Sequence, residues 1–228
     1  MSSSLPASYD ARVTQLRHAI KGQGIDCLLV TSRNNVRYTV GFAGTAGWVL
    51  VSDTDVILAT DARYIEQARC ELGDSCVRLA EAGLTPLVAS YVAAQETLTL
   101  GFEGDHLSHS GAHTLESAIR SSGARCRLLA TNGIVEGLRT IKDAGEISAI
   151  QQACTLADAA MTHARAIIHG GMSEQQLSWE IEKWLREHGS GPIPFGIIVA
   201  SGPNAALPHA TPGDRTFQPG EPIVIDLG

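Results

Sequence analysis

Two side chains near the end of the chain are of types that metal and proton-transfer sites use. Asp226 ends the apolar stretch IVIDLG, and a carboxylate held at the end of a strand suits a hard divalent cation. His209 lies in PNAALPHATPGD, where an imidazole could hydrogen-bond a substrate or transfer a proton. The residues alone leave other readings open: Asp226 could cap the following turn, and His209 could be a solvated loop histidine.

Three other histidines form an HxxHxxxH pattern at His106, His109 and His113. The last two are four residues apart and would share a helix face. Ser, Gly and Ala separate them, so the acid of an HExxH zinc motif is missing, and we interpret the cluster as a solvated helix start. Serine catalysis is not indicated, because the sequence contains no GxSxG nucleophile elbow.

The N-terminal part of the chain alternates between helical and strand patterns. Helices are predicted for 8–23, 61–72, 85–95 and 108–122, with Asp61 as the N-cap of the second. Strands are predicted for 27–32, 48–52, 55–60, 76–80, 99–103 and 126–130. Asp53 and Thr54 join the second and third strands, which should form a hairpin. This alternation predicts an α/β fold with a mostly parallel or mixed sheet.

The pattern changes after Asn132. Helices are predicted for 143–169 and 173–189, each opening with a capping box, and strands for 196–201 and 222–227. The predicted buried face of the first helix consists of Ile147, Ile150, Cys154, Ala157, Met161, Ala164 and Ile168. That of the second consists of Leu177, Ile181, Trp184 and Leu185. We place the domain boundary within 132–142, between a domain of residues 1–135 and a domain of residues 136–228.

Composition excludes several classes of protein. The 228 residues carry a net charge of -7 without a long basic run, so no nucleic-acid partner is indicated. The N-terminus lacks the pattern of a secretory signal, and no run approaches the roughly 20 apolar residues that span a bilayer, so no membrane partner is indicated either. The five cysteines include no CxxC pair, and free thiols predict a cytoplasmic location.

Several segments together resemble the Xaa-Pro aminopeptidase and Xaa-Pro dipeptidase (prolidase-like) group of pita-bread metallopeptidases. The segments similar to its creatinase-like N-terminal domain are NNVRYTVGFAGT (34–45) and WVLVSDTDVILATDARYIEQA (48–68). The segments similar to its catalytic domain are LRTIKDAGEISAIQQA (138–153), HGGMSEQQLSWEIEKWLREHG (169–189), FGIIVASGPNAALPH (195–209) and GEPIVIDLG (220–228). The pairing of SGPNAALPH with IVIDLG is the specific part of this resemblance.

The resemblance implies an α/β creatinase-like N-terminal domain with a central mixed sheet, followed by a truncated first half of a pita-bread domain. In that group two divalent ions (manganese, cobalt or zinc) share two Asp, one His and two Glu ligands, and an activated hydroxide attacks the scissile carbonyl. Asp226 matches the first metal-binding Asp, and His209 matches the histidine that contacts the substrate. The other four ligands would follow Gly228, so we expect the chain alone neither to hold the ions stably nor to cleave peptides.

The implied substrate is a peptide with proline in its second position, and the implied assembly of the complete enzyme is a homodimer. Two alternatives remain open. One is a non-catalytic pita-bread binding module, a pseudo-peptidase that keeps the fold and binds other proteins. The other is a creatinase-like hydrolase that uses the same scaffold without a metal, although Asp226 and SGPNAALPH favour the metallopeptidase.

Overall fold

The computed structural model describes residues 7–95 and 98–228, which form two compact units, Met1–Ile141 and Lys142–Gly228. The division follows Ile141 rather than residue 135. The reason is the helix Ile134–Arg139, whose residues Ile134 and Val135 are buried in the hydrophobic core of the first unit. Each unit is described by itself below.

The first unit contains helices and strands close to the predicted positions. Its helices are α1 (Ala7–Gly22), α2 (Arg33–Val40), α3 (Ile65–Leu72), α4 (Leu84–Ala93), α5 (His109–Ser121) and α6 (Ile134–Arg139). Its strands are β1 (Cys27–Val30), β2 (Trp48–Ser52), β3 (Val56–Thr60), β4 (Val77–Leu79), β5 (Leu98–Glu103) and β6 (Cys126–Thr131). A short 3-10 turn, Asp74–Cys76, precedes β4.

The six strands form one mixed sheet in the order β4-β3-β2-β1-β5-β6, which confirms the predicted α/β class. The predicted hairpin is present, since β2 and β3 pair antiparallel with Val51 opposite Val56. Strand β2 also pairs antiparallel with β1, whereas β1, β5 and β6 are parallel to one another. The parallel strands end at a common edge, at Glu103 on β5 and Thr131 on β6.

Helices cover both faces of this sheet, because the side chains of a strand alternate between its faces. Leu28 and Val30 of β1 pack with α1, α2, α3 and α6, whereas Cys27 and Leu29 pack with α4 and α5. All four β1 side chains are fully buried, as the continuous apolar run predicts. The first unit therefore has a hydrophobic core on each side of its sheet.

Two features of the first unit differ from the prediction. Helices α2 and α6 were not predicted, because eight and six residues are too few for a clear helical periodicity. Asp61 is not a helix N-cap, since α3 begins at Ile65. Instead, Asp61 Oδ1 accepts the backbone N–H of Arg63 at 2.9 Å and stabilises the turn before the helix.

The second unit consists of α7 (Ala144–Ile167), α8 (Glu174–Glu187) and the strands β7 (Ile198–Ser201) and β8 (Ile223–Asp226). Both predicted capping boxes are confirmed, Asp143 with Glu146 before α7 and Ser173 with Gln176 before α8. The buried face of α8 is also as predicted, since Leu177, Ile181 and Leu185 are at most 2% exposed and Trp184 packs against their core.

The predicted buried face of α7 is wrong over its first half. Ile147 and Ile150 are 57% and 50% exposed, and burial begins only near Ala160 and Ala164. Helix α8 has 14 residues against 24 in α7, about 21 Å against 36 Å, so it covers only part of the longer helix. The periodicity identifies an apolar face but not the partner that covers it.

None of the helices in the described part of the chain is both long enough and apolar enough to cross a membrane.

Candidate functional site

The antiparallel pair β7 and β8 positions Asp226. Side chains along β8 alternate, so that Ile223, Ile225 and Leu227 pack against the core of the second unit. Val224 and Asp226 therefore lie on the opposite face, where both are exposed. This alternation places the carboxylate in solvent at the end of a strand whose other face is fixed by packing.

His209 lies in the segment of residues 202–222 that joins the two strands, here called the histidine loop. The loop begins with a 3-10 turn, Gly202–Ala206, and His209 follows in a turn of its own with an exposed side chain. Within the described chain, the imidazole of His209 makes no hydrogen bond or ion pair. Both ring nitrogens are therefore available to a ligand.

The later part of the histidine loop runs along the N-terminus of α8. Gln175 N donates to Gly213 O at 3.0 Å, and Glu174 N donates to Arg215 O at 3.0 Å. The adjacent residues Ser173 and Thr216 form an antiparallel bridge. Backbone hydrogen bonds thus fix the returning segment, residues 213–217, to the start of the helix.

The side chain of Glu174 binds the beginning of the loop as well as Gly213 in its later part. This residue is completely buried, and its Oε1 accepts the backbone N–H of Ser201 at 2.7 Å and the hydroxyl of Ser201 at 2.8 Å. Asn204 Nδ2 donates to both carboxylate oxygens, at 3.1 and 3.2 Å, and Gly213 N donates to Oε2 at 3.3 Å. A buried carboxylate with this many donors is fully hydrogen-bonded.

These contacts change the acidity of Glu174. Burial by itself raises the pKa of a carboxyl group, but the hydrogen bonds from Ser201, Asn204 and Gly213 outweigh it, so the pKa of Glu174 lies below its usual value. Glu174 is not among the functional residues predicted from the sequence. The available signal was the Ser173–Gln176 capping box, which places Glu174 in the first turn of α8, where the helix dipole favours a carboxylate.

An ion pair joins two residues in the later part of the histidine loop. Arg215 Nη2 lies 2.5 and 2.6 Å from the two carboxylate oxygens of Glu221, and both side chains are about a quarter exposed. They lie against Gly202, whose backbone has φ +51°, and a Cβ at this position would collide with both. The backbone conformation favours glycine here, and a larger residue would also displace the ends of these two side chains.

The strand register does not by itself bring His209 next to Asp226. Ser201 is opposite Ile223, where the loop leaves the strands, whereas Asp226 is opposite Ile198 at the other end. Asp226 therefore lies about 10 Å along the strand from the base of the loop. Within the described chain no hydrogen bond or ion pair joins His209 and Asp226, although the two residues share a unit.

Asp226 fits the role of a metal ligand in its chemistry. Its carboxylate is exposed, and among residues 7–95 and 98–228 it has no hydrogen-bond or ion-pair partner. Hard divalent cations prefer such oxygen ligands. In the same described ranges no three His, Cys, Asp or Glu side chains are close enough together to hold a metal ion. The chain thus offers a single carboxylate rather than a complete set of ligands.

The histidine pattern of the first unit does not form a site. His106 Nδ1 lies within hydrogen-bond distance, 3.1 Å, of the hydroxyl of Thr31. This contact joins His106 to the hydrogen bonds between Thr31 and Glu103. His109 and His113 lie on the first turns of α5 with exposed side chains, after the N-cap Ser108. This agrees with the interpretation of the pattern as a solvated helix start.

A buried polar network lies at the common edge of the parallel strands. Glu103, only 8% exposed, accepts the backbone N–H groups of Thr31 and Ser32 at 2.6 Å and Asn35 Nδ2 at 2.6 Å. Asn35 also binds Glu136 and Arg139 on α6. A cavity of about 220 Å³ adjoins the network. Because Glu103 and Asn35 are used in binding α2 and α6 to the sheet, we assign the network a structural role.

Comparison with known proteins identifies both units. Residues 12–141 match the creatinase/prolidase N-terminal domain, and residues 148–228 match metallopeptidase family M24. The chain is 32% identical over 217 residues to an uncharacterized peptidase, YqhT, of Bacillus subtilis (strain 168). The aligned region covers 95% of this chain and 60% of that protein.

Solved structures give the same result. An Xaa-Pro dipeptidase from Bacillus anthracis matches with a TM-score of 0.86 and 36% identity, over 96% of this chain and 61% of that one. An X-Pro aminopeptidase from Thermotoga maritima MSB8 matches with a TM-score of 0.82 and 30% identity, over 92% of this chain and 60% of that one. The chain spans about 60% of the length of these relatives. It belongs to the M24 metallopeptidases that carry a creatinase/prolidase N-terminal domain.

Proposed function

We propose that this chain forms part of a metal-dependent peptidase that removes the N-terminal residue before proline, as an Xaa-Pro dipeptidase or aminopeptidase. The observation that carries the proposal is its similarity to solved Xaa-Pro peptidases over both of its units. The substrate would be a peptide with proline in its second position, and the complete enzyme would be a homodimer. The five free cysteines support a cytoplasmic location.

Asp226 is the residue of this chain that would hold a metal ion. When bound, a pair of divalent ions (manganese, cobalt or zinc) supplies activation of a water and stabilisation of negative charge. The contribution of the chain is an exposed carboxylate at the end of β8, kept in place by the packing of Ile223, Ile225 and Leu227. One carboxylate balances little of the charge of two dications, so the 228 residues alone should neither bind the ions stably nor hydrolyse peptides.

His209 is the residue that would contact the substrate near the scissile amide. Its exposed imidazole makes no hydrogen bond within the described chain and can either donate a proton to, or accept one from, a bound peptide. The loop that carries it is anchored by Glu174 and by the pair of Arg215 with Glu221. The loop can therefore present the ring from a fixed base.

Titration with Mn²⁺ tests the metal assignment on the 228-residue chain. Weak binding at Asp226 should broaden the backbone NMR signals of β8 and its neighbours through the unpaired electrons of Mn²⁺. Asp226→Asn should abolish this local broadening, whereas Asp158→Asn, which makes the same change at an exposed position on α7, should not. Broadening centred elsewhere, or unaffected by Asp226→Asn, would contradict the assignment.

Peptidase assays test the remainder of the proposal. The 228-residue chain should not cleave an Xaa-Pro dipeptide in the presence of Mn²⁺, and robust cleavage would refute its inactivity. A chimera that joins residues 1–228 to the remaining part of the Bacillus anthracis dipeptidase should cleave it. In that chimera, His209→Ala should lower kcat by about 100-fold or more. A folded chimera whose activity is unchanged by His209→Ala would exclude the proposed role of His209.

A further inference from the structure

Glu174 holds the histidine loop at two places, at its beginning and on the far side of His209. The outgoing segment (residues 201–206) consists of the last residue of β7 and the first residues of the loop, and the returning segment (residues 213–217) leads back toward β8. His209 lies between these segments, four residues before Gly213. The position of the ring therefore depends on how the two segments are kept together.

Glu174 contacts both segments through different groups. Its backbone N–H donates to Arg215 O at 3.0 Å in the returning segment. Its carboxylate accepts from Ser201 and Asn204 in the outgoing segment and from Gly213 in the returning one. Ser201 and Gly213 are 27 and 39 residues from Glu174 in sequence, so this link exists only in the folded chain.

The identity of the donors shows where the carboxylate acts. Among the residues that the structure describes, the hydrogen bonds to it come from the outgoing and returning segments, and none comes from α7 or from the remainder of α8. Leu177, Ile181 and Leu185, which form the buried face of α8, join the hydrophobic core without using it. Loss of the carboxylate should therefore loosen the loop first and leave the packing of the helices in place.

We propose that Glu174 is a positioning residue for His209, whose carboxylate sets the shape of the histidine loop by joining its outgoing and returning segments. The part of this inference that concerns catalysis rests on the proposed function, in which His209 contacts the peptide. The part that concerns the loop does not. Glu174 itself is buried beneath the loop and is not a catalytic residue.

Glu174→Gln is the sharpest test, because it preserves size while changing the pattern of donors and acceptors. The carboxylate offers two acceptors, whereas the amide offers one acceptor and one donor. With its oxygen toward Ser201, the amide nitrogen faces the N–H of Gly213, and two donors cannot bond to each other. Glu187→Gln is the matched control, since it makes the same change at an exposed position on the same helix.

The measurements are amide hydrogen exchange and the ring signals of His209 in NMR spectra of the 228-residue chain. In Glu174→Gln, exchange at Gly213 should rise about tenfold or more, and the His209 ring signals should shift or broaden. Exchange at Ile181, in the middle of α8, should rise much less than at Gly213. Glu187→Gln should leave all of these signals as they are.

The outcomes separate this inference from the proposed function, since neither readout requires peptidase activity. Unchanged Gly213 exchange and His209 signals in Glu174→Gln would overturn the inference, and so would equal loosening of α8 and the loop. If Glu174→Gln is too unstable to study, Asn204→Ala removes only part of the link. This variant should shift or broaden the ring signals of His209 while the amide of Gly213 remains protected from hydrogen exchange. Unchanged His209 ring signals would again overturn the inference. In the active chimera, Glu174→Gln should lower kcat more than it raises KM.

Discussion

Glu174 accepts hydrogen bonds from both the backbone amide and the hydroxyl of Ser201, at 2.7 and 2.8 Å, although 27 residues separate them in sequence. The contact connects the first turn of α8 with the last residue of β7. It makes the stability of the second unit dependent on the ionisation of one buried carboxylate.

The second unit should lose stability in acid through Glu174. Because its folded-state pKa lies below the value near 4.5 of a free glutamate, the stabilisation is complete above that value and is lost as pH falls through the folded-state pKa. Urea unfolding followed by Trp179 and Trp184 fluorescence, in a Trp48→Phe background, should show midpoints that decline below about pH 4.5. Glu174→Gln should flatten this decline, and an equally steep decline in the variant would contradict the assignment.

Gly202→Ala should destabilise the second unit by about 1–3 kcal/mol. The substitution places a Cβ on a residue with φ +51° and against the ion pair of Arg215 with Glu221. Thermal unfolding measures the effect. Gly191→Ala is the control, because a Cβ there meets nothing within 4 Å and the backbone is not left-handed. Equal stabilities of the two variants would show that neither the backbone conformation nor the close approach at Gly202 requires a glycine.

Limited proteolysis should cut the chain between its two units. Only residues 140–143 lie between α6 and α7, and Ile141 within them is 81% exposed. Trypsin should therefore cleave first after Arg139 or Lys142, which mass spectrometry of the early products would show. The N-terminal product has a complete sheet with a core on each face, and it should remain folded by circular dichroism. First cleavage inside the six-stranded sheet would contradict this expectation.

The second unit should drive any self-association of the chain. The large apolar side chains that are exposed in the described residues lie at or after Ile141, and they include Ile147, Ile150 and Val224. Exposed apolar surface of this kind promotes association. Sedimentation velocity should show that Val224→Lys shifts the chain toward the 24.1 kDa monomer. Ser90→Lys adds the same charge on the first unit and should have no such effect.

Cys27 should resist alkylation until the first unit unfolds. Burial in the core, reinforced by the nearby carboxylate of Asp55, raises the pKa of its thiol to about 12, so the reactive thiolate is almost absent at pH 8. Cys70 and Cys154 are exposed and should react with a maleimide in the native chain. Peptide mapping by mass spectrometry after short treatment would measure this order. Modification of native Cys27 as fast as Cys154 would contradict the burial of β1.

The sequence by itself determined the elements whose signals are local. The continuous apolar run of β1, the hairpin of β2 and β3, and the paired capping residues before α7 and α8 each correspond to the structure. These patterns arise from side-chain periodicity and from hydrogen bonds between near neighbours, which the order of residues specifies directly. The resemblance to Xaa-Pro peptidases added the candidates Asp226 and His209, whose proximity in an active site stays a prediction.

Only the tertiary structure decided which surfaces meet. It left Ile147 and Ile150 of α7 exposed, because an apolar stripe does not specify the partner that covers it. Helix α2 forms with Asn35 bound to Glu103, 68 residues away, since so short a segment gains its stability from tertiary contacts. Glu174 reads as an ordinary first-turn glutamate in the sequence, and its donors become neighbours only when β7 and the returning segment pack against α8. Contacts between residues distant in sequence follow from packing, which no local pattern encodes.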